Sequence, residues 1–215
     1  VDRRQRQMCI RDRTYDFTVR FGVETDTLDV EGKPVATSDV RPTLAEIEAV
    51  LPRFTGPIEQ VPPAYSALKV DGQRAYDLAR AGEAVELASR SVNVHRLLVR
   101  HPELVSGSIV PQQPKLQDDK WTLKQVQGDG IGAIELPLDQ ITLTAHVSKG
   151  TYIRSLARDI AQALGTVGHV TMLRRTQAGP FGLAQAISLD KLDEIRHGAA
   201  PEDVILPFEA GLADI

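Results

Sequence analysis

Ile141, Leu143, Ala145 and Val147 alternate with Thr142, Thr144, His146 and Ser148, and just past the glycine turn at Gly150 the period changes to that of a helix. From Tyr152 to Gly165, residues Ile153, Leu156, Ala157, Ile160, Ala161 and Leu164 share one face and a glycine closes the run. A half-buried strand therefore feeds an amphipathic helix that must pack back on a sheet. Two more segments supply strands for it. Tyr15, Phe17, Val19 and Phe21 alternate with Asp16, Thr18 and Arg20, and Val92 to Arg100 is a strand expected to pair antiparallel with 141–148. Helices and strands are interspersed without a βαβ rhythm, so the class is α+β.

The rest of the chain fills in around this frame. Glu24 to Asp39 is acidic and turn-rich; Thr43 lies three residues before Glu46 at capping-box spacing, opening a helix with Leu44, Ile47 and Leu51 on one face that ends near Pro52. Ser66 to Val70 reads as a short strand, Asp71-Gly72 as a turn, and Ala75 to Ala81 as a short helix closed by Gly82. Gly179-Pro180 marks a tight turn, and Ser188 caps a final helix with Leu189, Leu192 and Ile195. Two stretches fit no element. Residues 1–13, with five arginines and no period, read as an extraneous or disordered N-terminal segment. The polar stretch from His101 to about Gly130 reads as an insertion bulging from the tip of a hairpin, far longer than a normal hairpin loop.

Composition narrows the chemistry. The single cysteine, Cys9, permits no internal disulfide, and five scattered histidines have no zinc spacing, so neither a metal nor another cofactor is expected. No run reaches the roughly 18 apolar residues of a membrane span, and a cytoplasmic location is the expectation. The formal charge of −4 hides an asymmetry: from His146 to Gly182 five cations face Asp159 alone, whereas the stretch after Gly182 is acidic. One cationic surface on an acidic body suits a polyanion such as RNA.

Arg154 is the most informative side chain. It sits in the first turn of the predicted helix, where the macrodipole disfavours a cation by roughly 0.3–1 kcal/mol. A carboxylate or a phosphate would compensate through the guanidinium fork; a solvated arginine reaching away from the helix end is the plainer alternative. Lys149-Gly150-Thr151 lacks the upstream glycine of a phosphate loop. Tyr15 and Tyr152 each lie at the edge of a core element, where a ring can pack and a hydroxyl stay reachable, as also holds for ordinary half-buried tyrosines. Met172-Leu173-Arg174-Arg175 offers an apolar wall and two cations, or simply a strand leaving the core.

Four ordered motifs, Arg13-Thr14-Tyr15 through Phe21-Gly22 to Thr25-Asp26-Thr27, PPAYSALKVDGQRAYDLAR (62–80), KGTYIRSLARDIAQALG (149–165) and GHVTMLRR (168–175), together resemble the bacterial tRNA pseudouridine synthase B family. The resemblance implies a pseudouridine synthase fold, with a mixed, mainly antiparallel sheet and flanking helices over 14–215. It also implies a monomer without metal or organic cofactor that grips a tRNA T-stem-loop, flips out the target uridine and isomerises it. Carried over position by position, Tyr15 would stack on the base and assist proton transfer, and Tyr152 would line the pocket. Arg154 would pair with the catalytic aspartate, and Leu173 would close the pocket. Ser66, Lys69 and Arg74 would belong to a thumb-like segment over the RNA, with Lys149 and Arg174 adding contacts to it. The family's nucleophilic aspartate lies in a Gly-x-Leu-Asp-Pro-x-Ala-Thr-Gly segment that these 215 residues do not contain. Thr27-Leu28-Asp29 is read as a decoy, because it follows the tyrosine and lacks that continuation. Family members usually continue into a small C-terminal RNA-binding domain, so an internal piece of the enzyme, inactive alone, is expected. The rival expectation is a non-catalytic RNA-binding module using Lys69, Arg74, Lys149, Arg174 and Arg175.

Overall fold

In a computed structural model, residues 12–66, 68–70, 73–81, 87–100 and 136–197 are described. Both the 1–11 stretch and the polar 101–130 stretch lie outside them. The centre is a six-stranded sheet in the order β10-β9-β1-β8-β7-β4, where β1 is Arg13–Phe21, β4 Gly56–Gln60, β7 Arg90–Val99, β8 Gln140–Val147, β9 Gly168–Ala178 and β10 Phe181–Gly182. Every ladder in it is antiparallel; the expected β7–β8 pair is present, with Val94 opposite Val147 and Val99 opposite Leu143. Two small hairpins flank the sheet: β2 (Val23–Thr25) with β3 (Pro34–Thr37), and β5 (Lys69–Val70) with β6 (Gln73–Arg74). The helices are α1 (Leu44–Val50), α2 (Ala75–Arg80), α3 (Ile153–Ala163) and α4 (Leu189–Arg196). The α+β class is as the sequence pattern implies, and the mainly antiparallel sheet is as the family resemblance implies.

Alternation in β1 and β8 and the 3.6 period of α3 meet in one core. Phe17, Val19, Phe21, Leu143, Ala145, Val147, Leu156, Ala157 and Ile160 are buried together, each large apolar side chain contributing about 2 kcal/mol by leaving water. Gly168 is required where α3, β9 and β1 converge. A Cβ there would lie 2.9 Å from Arg20 O and 3.1 Å from the Ala161 Cβ. The predicted capping box forms: Thr43 Oγ1 accepts from Glu46 N–H, and the Glu46 carboxylate accepts from Thr43 N–H. Bonds from the Thr43 backbone N–H and from the Thr43 hydroxyl hold the exposed Glu46 carboxyl below its usual pKa.

Two boundaries differ from the sequence reading. Ser66 lies in a bend, not a strand, because the hairpin pairs only two residues per side. Asp12 and Arg13, placed above in the extraneous segment, join the fold: β1 starts at Arg13, Asp12 O accepts from Gly179 N–H at 2.9 Å, and the Asp12 carboxylate lies 3.2 Å from His95 Nε2.

Candidate functional site

Between β2 and β3 the chain makes a tight loop, Thr25 to Gly32, held by its own polar groups. Thr25 Oγ1 donates to Asp29 O at 2.7 Å, Lys33 N–H donates to Asp26 Oδ1 at 2.8 Å, and Leu28, buried, takes a left-handed φ of 63°. A non-glycine residue there costs about 1–2 kcal/mol, which the surrounding bonds must over-determine. Gly32 closes the loop, since a Cβ would overlap the Thr27 hydroxyl and lie 2.8 Å from Thr27 N. The loop is docked on β9: Val170 N–H donates to Leu28 O at 3.0 Å, and Asp29 bridges Val170 in parallel.

This docking carries Asp29 to the start of α3. Arg154 Nη1 donates to Asp29 Oδ2 at 2.9 Å and to Thr27 O at 2.8 Å, and Nη2 donates to Tyr65 O at 2.8 Å. The cation that a helix N-terminus disfavours is thus compensated by one carboxylate and two carbonyls, and the solvated-arginine alternative is excluded. Asp29 is held in turn, because its Oδ1 accepts from Thr27 Oγ1 at 2.6 Å and from Glu31 N–H at 3.1 Å. A carboxylate with both oxygens engaged is a good anchor for the guanidinium. The Thr27-Leu28-Asp29 segment thus has a role that reading it as a decoy for the nucleophile motif did not assign: Asp29 is the partner of Arg154, where the resemblance implies pairing with the catalytic aspartate.

Around this ion pair opens a cleft of about 470 Å³ lined by Thr27, Asp29, Glu31, Tyr65, Ser66, Tyr76, Tyr152 and Arg154. Tyr65 and Tyr76 meet edge to face with centroids 6.0 Å apart, and the Arg80 guanidinium lies 4.7 Å from the Tyr76 ring centre. Ser66 Oγ is buried and has no hydrogen-bond partner among the described residues. Such a hydroxyl costs about 1–3 kcal/mol unless something completes it. A second groove of about 530 Å³ beside β7, lined by Leu51, Pro52, Leu97 and Val99, offers a single carboxylate, Glu48, and no cation. Aromatic faces, hydroxyls and a fixed guanidinium converge only in the first of the two.

Of the residues singled out from sequence, Tyr152, Arg154 and Ser66 share this cleft. Lys149 is exposed in the turn three residues before Tyr152. Lys69 and Arg74 face each other across the β5–β6 hairpin whose base carries Ser66 and Tyr76; their side chains lie outside the described residues. Tyr15 is half-buried against the core and does not line the cleft; its register partners are Ala145 and Arg175. Leu173 stands opposite Phe17, half-exposed on the same sheet face as Tyr15. Arg174 is opposite Asp16 and Arg175 opposite Tyr15, so these consecutive strand residues point to opposite faces of the sheet. The five cations of the rival RNA-binding surface therefore do not form one patch. Sequence reasoning missed Asp29, Tyr65 and Tyr76 as cleft residues, although both tyrosines stand inside the quoted 62–80 motif. Among the described residues no group of three or more His, Cys, Asp or Glu is placed to hold a metal ion, and no helix is long and apolar enough to cross a membrane.

The N-terminal domain model of the TruB family of pseudouridylate synthases matches residues 3–107, and the C-terminal domain model of tRNA pseudouridylate synthase B matches residues 154–213. The second match begins within α3, so the boundary between the two family models is not a boundary of the fold: α3 and β9 pack on and pair with β1. The chain is 57% identical over 209 residues to the tRNA pseudouridine synthase B of Novosphingobium aromaticivorans, covering 97% of this chain and 59% of that one. It is 46% identical over 204 residues to that of Zymomonas mobilis, covering 95% and 56%. These curated relatives are thus considerably longer than the part the chain matches. A solved structure, the crystal structure of a Cbf5-Nop10-Gar1 complex, holds a chain that superposes with a TM-score of 0.53 at 22% identity, over 93% of this chain and 43% of that one, which is a likeness of fold.

Proposed function

We propose a function from one premise: this chain belongs to the TruB family of pseudouridylate synthases. On our reading it is the uridine-binding part of an isomerase that converts a uridine of tRNA, in the T-loop, to pseudouridine. The observation that carries the reading is the caged Arg154 at the floor of a cleft walled by three tyrosines. Aromatic faces suit an extruded pyrimidine, and a fixed guanidinium suits the anionic groups around it. Three of the five guanidinium N–H donors are engaged by Asp29, Thr27 O and Tyr65 O, which leaves donors for an incoming carboxylate or phosphate. Ser66 supplies a hydroxyl still lacking a partner.

The isomerisation breaks the bond from uracil N1 to ribose C1′, turns the base, joins C5 to C1′ and moves the C5 proton off the ring while N1 gains one. Atoms balance without a co-reactant. Tyr152 lines the pocket, Arg154 holds charge in place, and Asp29 holds Arg154. Tyr15 and Leu173 share one sheet face and do not line the cleft; on our reading they meet the base when the RNA is bound. We do not assign Asp29 as the nucleophile, because it follows Tyr15 and lacks the Pro-x-Ala-Thr-Gly continuation of the family's acid motif. The family's acid motif is not among these 215 residues, so the chain should bind its RNA without turning it over.

The test is binding of a tRNA T-stem-loop RNA, followed against salt, with an unrelated hairpin as control. We expect preferential, salt-sensitive binding that Tyr152→Phe and Arg154→Ala weaken. Tritium release from uridine-labelled tRNA should stay at background. Equal binding of both hairpins would overturn the reading; turnover by the 215 residues would show that another carboxylate serves.

A further inference from the structure

We infer that Gln60 is a positioning residue for the cleft, acting by holding the backbone of Tyr152 and with it the first turn of α3. Gln60 ends β4, an edge strand of the sheet, and is only 1% exposed. Its Oε1 accepts from Tyr152 N–H at 2.8 Å, and its Nε2 donates to Tyr152 O at 3.1 Å. The backbone groups dictate which end of the amide is which, since an N–H only donates and a carbonyl only accepts. Tyr152 is the N-cap of α3, with extended backbone and no cap bond from its own side chain. Tyr152 O also accepts from Leu156 N–H at 3.0 Å, so both its lone pairs are engaged. A side chain 92 residues away therefore accepts from the N-cap backbone N–H, as the N3 side chain of a capping box does elsewhere.

The next residue extends the fastening. Val61 O accepts from Ser155 Oγ at 2.8 Å and from Arg158 Nη2 at 3.2 Å. Three hydrogen bonds thus run from two consecutive residues to the first turn of α3, which carries Tyr152 and Arg154, and a fourth reaches Arg158 one turn further on. Neither Gln60 nor Val61 lines that cleft, so any effect on a ligand passes through Tyr152 and Arg154. The functional half of this inference rests on the RNA reading above; the backbone clamp does not.

Gln60→Glu separates the two bonds at constant size. An ionised carboxylate accepts from Tyr152 N–H but cannot donate to Tyr152 O. Burial raises the pKa of such a carboxyl, and once protonated it donates again. The defect should therefore reverse on acidification, whereas that of Gln60→Leu should not. The chain has four tyrosines, so ¹⁵N-tyrosine labelling yields a short spectrum in which Tyr152→Phe assigns the Tyr152 amide. In the unaltered chain we expect that amide to exchange with solvent about 100-fold slower than an unprotected one. In Gln60→Glu its resonance should be displaced at pH 8 and restored at pH 5.5, while affinity for the T-stem-loop RNA, relative to the unaltered chain at the same pH, falls about tenfold and recovers in step. Rapid exchange of the Tyr152 amide in the unaltered chain overturns the clamp, and that result stands even if the variants do not fold. A displaced resonance with unchanged affinity overturns the positioning role. An unaltered chain that shows slow exchange but binds no RNA keeps the clamp and sinks the RNA reading instead.

Discussion

The two walls of the cleft are built on different terms. On the wall formed by the Thr25–Gly32 loop and α3, the groups that hold the site are paired in the free protein: Asp29 with Arg154, Thr27 and the Glu31 amide, and the Tyr152 backbone with Gln60. The wall formed by Tyr65, Ser66 and Tyr76 keeps a buried hydroxyl without a partner and a ring 37% exposed. One wall fixes geometry before any ligand arrives; the other holds the hydrogen-bonding capacity a ligand would complete. Preorganisation on one side and unmet capacity on the other is the division expected of a site that must seat a flipped base.

Substitutions on the paired wall should cost stability first. Arg154→Ala leaves Asp29 without its cation; with both side chains about a quarter exposed, the loss should be about 2 kcal/mol, short of the 3–5 kcal/mol of a fully buried pair. RNA affinity should fall at least tenfold with it, and thermal unfolding with RNA titration checks both. Asp29→Asn preserves shape and removes charge, so about 1 kcal/mol is expected by the same assay. Ser66→Ala should split the two readouts the other way: stability unchanged or slightly raised, because an unpaired hydroxyl disappears, but RNA affinity lowered about threefold. If Ser66→Ala instead destabilises like Arg154→Ala, the contrast between the walls is wrong.

The smallest effect lies behind the paired wall. Burial pushes the Asp159 carboxyl above its ordinary value despite the adjacent Arg158. A carboxyl raised in the folded state binds more protons than in the unfolded chain, so its contribution is present below the unfolded pKa of 3.8 and is lost as pH rises through the folded value. Asp159→Asn should remove that falling slope from a stability profile recorded upward from pH 4.

Periodicity made the frame legible. β1, β8 and α3 follow from their apolar spacing, and the Thr43–Glu46 capping box stands as the spacing predicts. β4 was not legible: GPIEQ is short and carries Pro57, which an edge strand tolerates and sequence rules penalise. β2 and β3 were hidden in a stretch whose polar residues signal only turns. At the site, the need to compensate Arg154 was legible from its place in the first helical turn, but its partner was not. Asp29 lies 125 residues away, and comparison with a nucleophile motif asks only whether an acid can attack, not what it holds. Gln60 was missed for the same reason, since its partner is a backbone group 92 residues distant that no side-chain pattern announces.

The central claim, that this cleft receives a uridine, is tested most directly by photocrosslinking a T-stem-loop RNA carrying 5-iodouridine at the target position and mapping the adduct by mass spectrometry. Adducts are expected at Tyr152, Tyr65 or Tyr76. Adducts confined to the opposite sheet face, at Arg174 or His146, would contradict it.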